Sequence, residues 1–350
     1  MNRRAFVAAW PALLAARSML AAAGAARSRL GICTFSCHQH WKAVAAKQGG
    51  VKFSDPGSFY RYARELGAEG VQTALRSQDP AVARRMRELV ERDGGYYEGE
   101  LRLPKSEGDL TAFESDVRLA REAGATVARA VFTGGRRYEI FKTLDEFTRF
   151  HAEARRSLTL AEPVLRRHRL KIAVENHKDL TMDELARLMG EFRSEWIGVL
   201  VDTGNNLALL DEPHAVIETL APFALSVHLK DMAVQAHAKG FLLSEVPLGT
   251  GLLDLPRVIS TLRRANPGIV FNLEMATRDP LNVPCLTDGY WATFPARRAT
   301  HLAPALERVK SNPLKRPPPQ MTGKTVATVL AEEEANNRHD LDWMHRNIRS

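Results

Sequence analysis

Four runs of apolar, β-prone residues in this chain each end abruptly in a side chain able to bind a metal ion. Lys171-Ile-Ala-Val174 ends in Glu175-Asn176-His177, and Ile197-Gly-Val-Leu-Val201 ends in Asp202-Thr203-Gly204-Asn205. Leu225-Ser-Val227 ends in His228-Leu229-Lys230-Asp231, and Ile269-Val-Phe-Asn-Leu273 ends in Glu274. Three carboxylates and one imidazole suit a hard or borderline divalent ion, with Mn²⁺ favoured and Mg²⁺, Co²⁺ or Zn²⁺ as alternatives. A single acidic residue at a strand end is more often a helix cap or loop residue. Four such residues on four successive runs reverse those odds, so Glu175, Asp202, His228 and Glu274 are read as one metal site. His177 and Lys230 each lie two residues beyond a ligand, on the same side of the strand. Asn205 follows Asp202 on the loop, and these three are expected to face the substrate.

The elements that must hold these residues read as a regular alternation. Short apolar runs separated by helical patterns are buried parallel strands, and their ligands gather at the carboxyl edge. Upstream, strands are expected at 29–36, 70–74, 95–103 and 126–133, with helices at 58–68, 80–92 and 110–123. A long helix over 143–168 opens on a Thr143/Glu146 capping box, and Pro163 is expected to kink or split it. Helices at 181–192, opening on a second capping box of Thr181 and Glu184, at 214–220 and at 255–264 separate the last four strands. Eight strand-plus-helix units in about 250 residues point to an α/β fold of the (β/α)8 barrel type. An open doubly wound sheet would bind at one switch point rather than display ligands on four strands. The barrel is placed at 29–280 and a C-terminal extension at 281–350. That extension holds a Pro-rich arm, Lys315-Arg-Pro-Pro-Pro319, and a terminal helix over 325–347. The helix covers either the barrel or a neighbouring subunit, the second case making a homo-oligomer.

Composition excludes little: 350 residues, 45% apolar and 26% charged, suffice for one large domain, and the formal charge of +8 is scattered without a nucleic-acid-like stripe. Residues 1–26 read as a twin-arginine export signal, with Arg3-Arg4 before an Ala/Leu-rich stretch and small residues near Ala23-Gly-Ala25. An amphipathic helix is the alternative. Removal of Arg3, Arg4 and Arg17 would leave +5 and an exported, periplasmic protein without stable membrane insertion. Cys33 and Cys37, placed along one extended strand, would lie about 13 Å apart, too far for a disulfide. His38, His40 and Trp41 follow strand one as a loop that either packs or contacts the substrate. Glu100 and Arg102 end strand three as further substrate candidates. Arg129 in strand four is expected to pair with Glu100 or to meet a substrate carboxylate. Gly134-Gly-Arg-Arg137 is an anion grip or an ordinary turn. Gly249-x-Gly251-x-x-Asp254 follows no clear strand and reads as a turn with Asp254 capping a helix. Tyr290 and Trp291 in the extension either pack or close over the site, and His237 and Lys239 sit in a long loop.

As a set, Glu175-Asn-His177, Val201-Asp-Thr-Gly-Asn205, Val227-His-Leu-Lys-Asp231, Pro247-Leu-Gly-x-Gly-x-x-Asp254 and Leu273-Glu-Met275 resemble the xylose isomerase-like TIM-barrel superfamily. The resemblance covers residues 29–280 and implies sugar isomerase, epimerase, dehydratase or endonuclease IV-like members. It implies that the four named ligands hold the metal and that Glu175 and Glu274 exchange protons with a sugar carbon. A metal that polarises a carbonyl and stabilises an enediolate permits isomerisation, epimerisation, β-elimination or decarboxylation. Leu-Lys-Asp after His228 is nearer the inosose dehydratase branch than the epimerases. The expected activity is isomerase or epimerase action on a non-phosphorylated sugar, with a lyase or decarboxylase acting on a keto-sugar or 3-ketoglycoside as the alternative. A non-catalytic sugar-binding protein is a second alternative, and nucleic acid is not an expected partner.

Overall fold

The computed structural model describes residues 27–294 and 296–348, so the expected export signal lies outside the described residues. Eight parallel strands close into a barrel: β1 (Leu30–Cys33), β2 (Gly70–Thr73), β3 (Tyr96–Glu100), β4 (Val127–Ala130), β5 (Lys171–Glu175), β6 (Ile197–Asp202), β7 (Ala224–Leu229) and β10 (Phe271–Leu273). Every residue of β6 is buried, as expected of a strand covered on both faces. The register pairs Asp202 with His228, and Asn272 with His228 across the next seam, which brings the carboxyl ends of β6, β7 and β10 level.

The surrounding helices are α1 (His38–Ala45), α2 (Pro56–Glu65), α3 (Pro80–Arg92), α4 (Leu110–Glu122), α5 (Leu144–His168), α6 (Met182–Phe192), α7 (Pro213–Leu220), α8 (Leu255–Ala265), α9 (Arg298–Ser311) and α10 (Val326–Ile348). Both predicted capping boxes form. Thr143 and Glu146 close the start of α5, and Thr181 and Glu184 that of α6. Pro163 does not split α5, which runs as one helix of 25 residues. Its buried stripe of Ala154, Leu158, Ala161 and Leu165 holds the helix to the barrel across the missing backbone donor.

Strand one is shorter than expected. After Cys33 the chain turns into a 3₁₀ segment, Thr34–Cys37, and then α1, so Cys33 and Cys37 do not share an extended strand; both are free and buried. The long loop expected after strand seven is a β-hairpin, β8 (Asp231–His237) and β9 (Gly240–Val246), joined antiparallel by β11 (Leu281–Val283). The Pro247–Asp254 segment therefore does follow a strand. Its backbone explains its glycines. The Asp231 carboxylate accepts from the amides of Gly249 (3.0 Å), Gly251 (2.8 Å) and Leu253 (3.2 Å). Gly249 has φ +81°, and a Cβ on Gly251 would meet Asp231 Oδ1 at 2.2 Å. Asp254 caps α8 through the amide of Arg257.

The terminal helix α10 lies on the barrel itself, against β1, β10 and α1. Its fully buried face carries Glu333, Asn337 and Asp340, spaced as one helical stripe. Glu333 supplies the N-terminal cap that α1 lacks locally: it accepts from the amides of Gln39 (2.7 Å) and His40 (3.0 Å) and meets His40 Nδ1 at 2.6 Å. Asn337 donates to Ser36 O (2.9 Å), and Asp340 accepts from Leu248 N (2.8 Å). Glu333→Ala strands two buried amides and an imidazole, and is expected to cost about 3 kcal/mol of stability in urea unfolding. A loss under about 0.5 kcal/mol would mean that water replaces the carboxylate there.

Candidate active site

Glu175, Asp202, His228 and Glu274 sit at the carboxyl ends of β5, β6, β7 and β10, each no more than 4% exposed. Their ligand atoms all lie within 4.8 Å of one another. His228 Nδ1 is 3.0 Å from Glu274 Oε2, 3.8 Å from Glu175 Oε2 and 3.9 Å from Asp202 Oδ2. Ligand atoms about 2.1 Å from an octahedral ion stand about 3 Å apart along an edge and about 4 Å apart across the centre. Asp202 Oδ2, His228 Nδ1 and Glu274 Oε2 are buried and under-partnered: none has a well-aligned hydrogen bond, and the two carboxylate oxygens share the single Lys230 ammonium. Buried polar atoms are seldom left so, and three of them facing one space fit a divalent cation. Charge crowding points the same way. Burial and the nearness of Glu274 push the Asp202 carboxyl up, against the pull of Lys230. Glu274 is held well below the usual range by Lys230 and His228, against its burial.

The barrel floor fixes which nitrogen of His228 is free. Nε2 lies 2.6 Å from Gln72 Oε1, and Gln72 Nε2 donates to Glu98 Oε2 at 2.8 Å. Glu98 also accepts from Ser226 (2.8 Å) and Asn272 (2.9 Å), which orients the amide. Nε2 therefore carries a hydrogen, and Nδ1 is the nitrogen that faces the ligand cluster and would offer its lone pair to an ion. Gln72→Leu is expected to weaken Mg²⁺ or Mn²⁺ binding about 10- to 100-fold by calorimetry, with the fold retained. Unchanged affinity would show that the imidazole needs no such support.

The residues expected around the ligands are placed as follows. Asn205 Nδ2 donates to Glu175 Oε1 (2.8 Å), and its Oδ1 accepts from Lys230 (3.3 Å). Lys230 Nζ stands 2.9 Å from Asp202 Oδ2 and 2.7 Å from Glu274 Oε2. His177 is nearly buried beside Glu175, and burial together with Lys178 lowers it to about 3, so its ring is neutral. Glu100 ends β3 beside Arg129, whereas Arg102 is exposed beyond the strand. Arg129 itself pairs with Glu175 (2.6 Å), not with Glu100 as expected. Both occupy strand ends inside the barrel, and the guanidinium goes to the carboxylate buried deeper.

His38, His40 and Trp41 lie on helix α1 rather than in a loop. His40 and Trp41 are buried in packing with Phe53, and His38 bonds Phe35 O (3.0 Å) and stacks on the Phe35 ring. Phe35, 41% exposed, is the aromatic left open beside β1, and Arg278 lies over its other side. Tyr290 and Trp291 pack: their polar tips donate to Ala208 O and Cys285 O. Arg137 is buried on Glu184 and Thr293, so the Gly134–Arg137 segment is a turn with an inward arginine.

Several site residues were not legible as such. Cys33 Sγ belongs to the same cluster as His228 and Glu274. Lys178 reaches Asn205 Oδ1, and Glu245 pairs with Arg278 (3.1 Å). For Gln72 and Glu98 a signal existed, because a polar side chain inside a buried strand must have a partner.

Comparison with known proteins agrees with this fold. The chain is 31% identical over 113 residues to 3-oxo-isoapionate decarboxylase of Pectobacterium atrosepticum, a stretch covering 32% of this chain and 41% of that protein. The matched stretch thus spans about two fifths of that relative's length. The fold is similar to D-psicose 3-epimerase of Clostridium cellulolyticum H10, solved with D-tagatose (TM-score 0.58, 11% identity, 92% of this chain and 100% of that one). It is also similar to a xylose isomerase-like TIM barrel protein of Mycobacterium smegmatis in complex with magnesium (TM-score 0.50, 13% identity, 81% and 98%). The model of the xylose isomerase-like TIM barrel family matches residues 60–293, and the chain belongs to that family.

Proposed function

We propose that this protein is a divalent-metal-dependent isomerase or epimerase of a non-phosphorylated sugar or sugar derivative, working by α-proton abstraction. The observation that carries the reading is the buried convergence of Glu175, Asp202, His228 and Glu274, whose ligand atoms all lie within 4.8 Å of one another. A divalent ion, when bound there, polarises a substrate carbonyl and lowers the energy of the enediolate. The chain's own groups do the rest. Glu274 Oε2 is the oxygen placed to take the α-proton, with the Lys230 ammonium at 2.7 Å holding the carboxyl ionised. Lys230 and Asn205 hold the neighbouring oxygens in place, and the near-complete burial of the cluster excludes water from the reacting carbon. Mn²⁺ is the proposed ion. Residues 1–26 as an export signal support a periplasmic location, where free rather than phosphorylated sugars are met.

A decarboxylase or other lyase using the same enolate is the second reading, favoured by two observations. One is the match to a decarboxylase. The other is that Asn205 and Arg129 occupy both oxygens of Glu175, which hinders proton return from that face.

The test is proton NMR in D₂O of the metal-loaded protein with free sugars, sugar acids and 3-ketoglycosides, beside a Glu274→Gln control. Deuterium wash-in that needs both metal and Glu274 supports proton abstraction, and the product names the fate of the enolate. A bound metal with no exchange on any substrate rejects the reading.

A further inference from the structure

We infer that the sugar carries a carboxylate and that Lys178 is the residue that binds it; this rests on the sugar-enzyme reading above and names its substrate class. Lys178 lies three residues beyond the ligand Glu175, on the loop after β5, and is 4% exposed. Its backbone is pinned, the carbonyl accepting from Arg137 N at 2.8 Å. Its ammonium donates to Asn205 Oδ1, a neutral oxygen that already takes Lys230 at 3.3 Å. Asn205 cannot turn to offer anything else, because its Nδ2 is committed to Glu175.

The other cations of this corner are answered. Arg129 faces Glu175, Lys230 faces Asp202 and Glu274, and Arg278 faces Glu245. Among the described residues, no carboxylate stands within ion-pairing distance of Lys178. A buried ammonium with three donors and one shared neutral acceptor is under-satisfied, and buried charges are otherwise paired. Burial, with Lys230 and Arg278 nearby, lowers Lys178 to about 8, outweighing the more distant Glu245 and Asp202 carboxylates. A divalent ion would add positive charge beside it, so the group that fills this corner has to bring negative charge. One ammonium matches the single charge of a carboxylate, whereas a phosphate monoester brings nearly two.

Calorimetry on the Mg²⁺-loaded full chain with L-tartrate and with L-threitol separates the contributions, since the two share a four-carbon diol and differ in their end groups. Tartrate is expected to bind about 10- to 100-fold tighter than threitol, the worth of a charged hydrogen bond. Lys178→Met, which keeps the apolar stem, is expected to bring the two within about threefold while Mg²⁺ affinity stays as in the wild type. Lys178→Gln serves if the methionine variant does not fold. Equal binding of the two ligands by the wild type overturns the inference but leaves the sugar site standing. A tartrate preference unchanged in both variants also overturns it, because the metal alone would then account for the preference. If neither ligand binds in an Mg²⁺-dependent way, the sugar-enzyme reading falls with it.

Discussion

Glu274→Gln is expected to lower turnover about 10³-fold, with divalent-ion affinity falling alongside. The side chain serves two roles in one place. Its Oε2 lies 3.0 Å from His228 Nδ1 and 2.7 Å from Lys230 Nζ, so in the proposed reaction it would serve both as a ligand atom and as the base that reaches a substrate carbon. Glutamine keeps the volume and removes the charge, which also leaves Lys230 facing Asp202 alone. The check is kcat on a turned-over sugar with Mn²⁺ content measured in parallel. Retention of a tenth or more of the activity at full metal occupancy would move the base elsewhere.

Arg129→Met is expected to destabilise the protein by about 3 kcal/mol at pH 7, because breaking a buried pair strands the remaining charge. Glu175 shows why. Burial works to raise its pKa, yet the Arg129 guanidinium outweighs it and brings the carboxyl from 4.5 down to about 2. A depressed carboxylate contributes stability that is full above about pH 4.5 and disappears as pH falls through about 2. The gap between wild type and variant should therefore be widest near neutrality and close progressively over that acid window. Urea unfolding of both proteins at pH 7 and pH 3 measures it. A gap of equal size at both pH values would assign the effect to lost packing rather than to charge.

What the sequence made legible was the edge of the barrel. Strand ends are where apolar periodicity stops and a polar residue begins, so the ligand quartet and the capping boxes stood out. The β8–β9 hairpin did not, because its turn is Ala238-Lys239 rather than an Asn-Gly or Asp-Gly pair, and Gly240 follows it with φ +145°. Lys178 was hidden for another reason: three residues past a strand, its direction depends on a loop that Arg137 pins from another part of the chain. Arg129 was recognised as a charge needing a partner, but the choice between Glu100 and Glu175 is a matter of barrel register, which spacing alone does not set.

The cap that α10 places on α1 also sets an order of events during synthesis. Glu333 follows His40 by 293 residues, so the ribosome has finished all four candidate metal ligands before the carboxylate that fastens the first helix exists. Contacts so distant along the chain are slow to form, and until α10 is made the seam between β10 and β1 lacks its outer cover. A chain stopped in the Pro-rich arm would contain every ligand yet lack the fastening behind Ser36 and Cys37. Synthesis of α10 is thus the step after which the fastening behind the first strand can form.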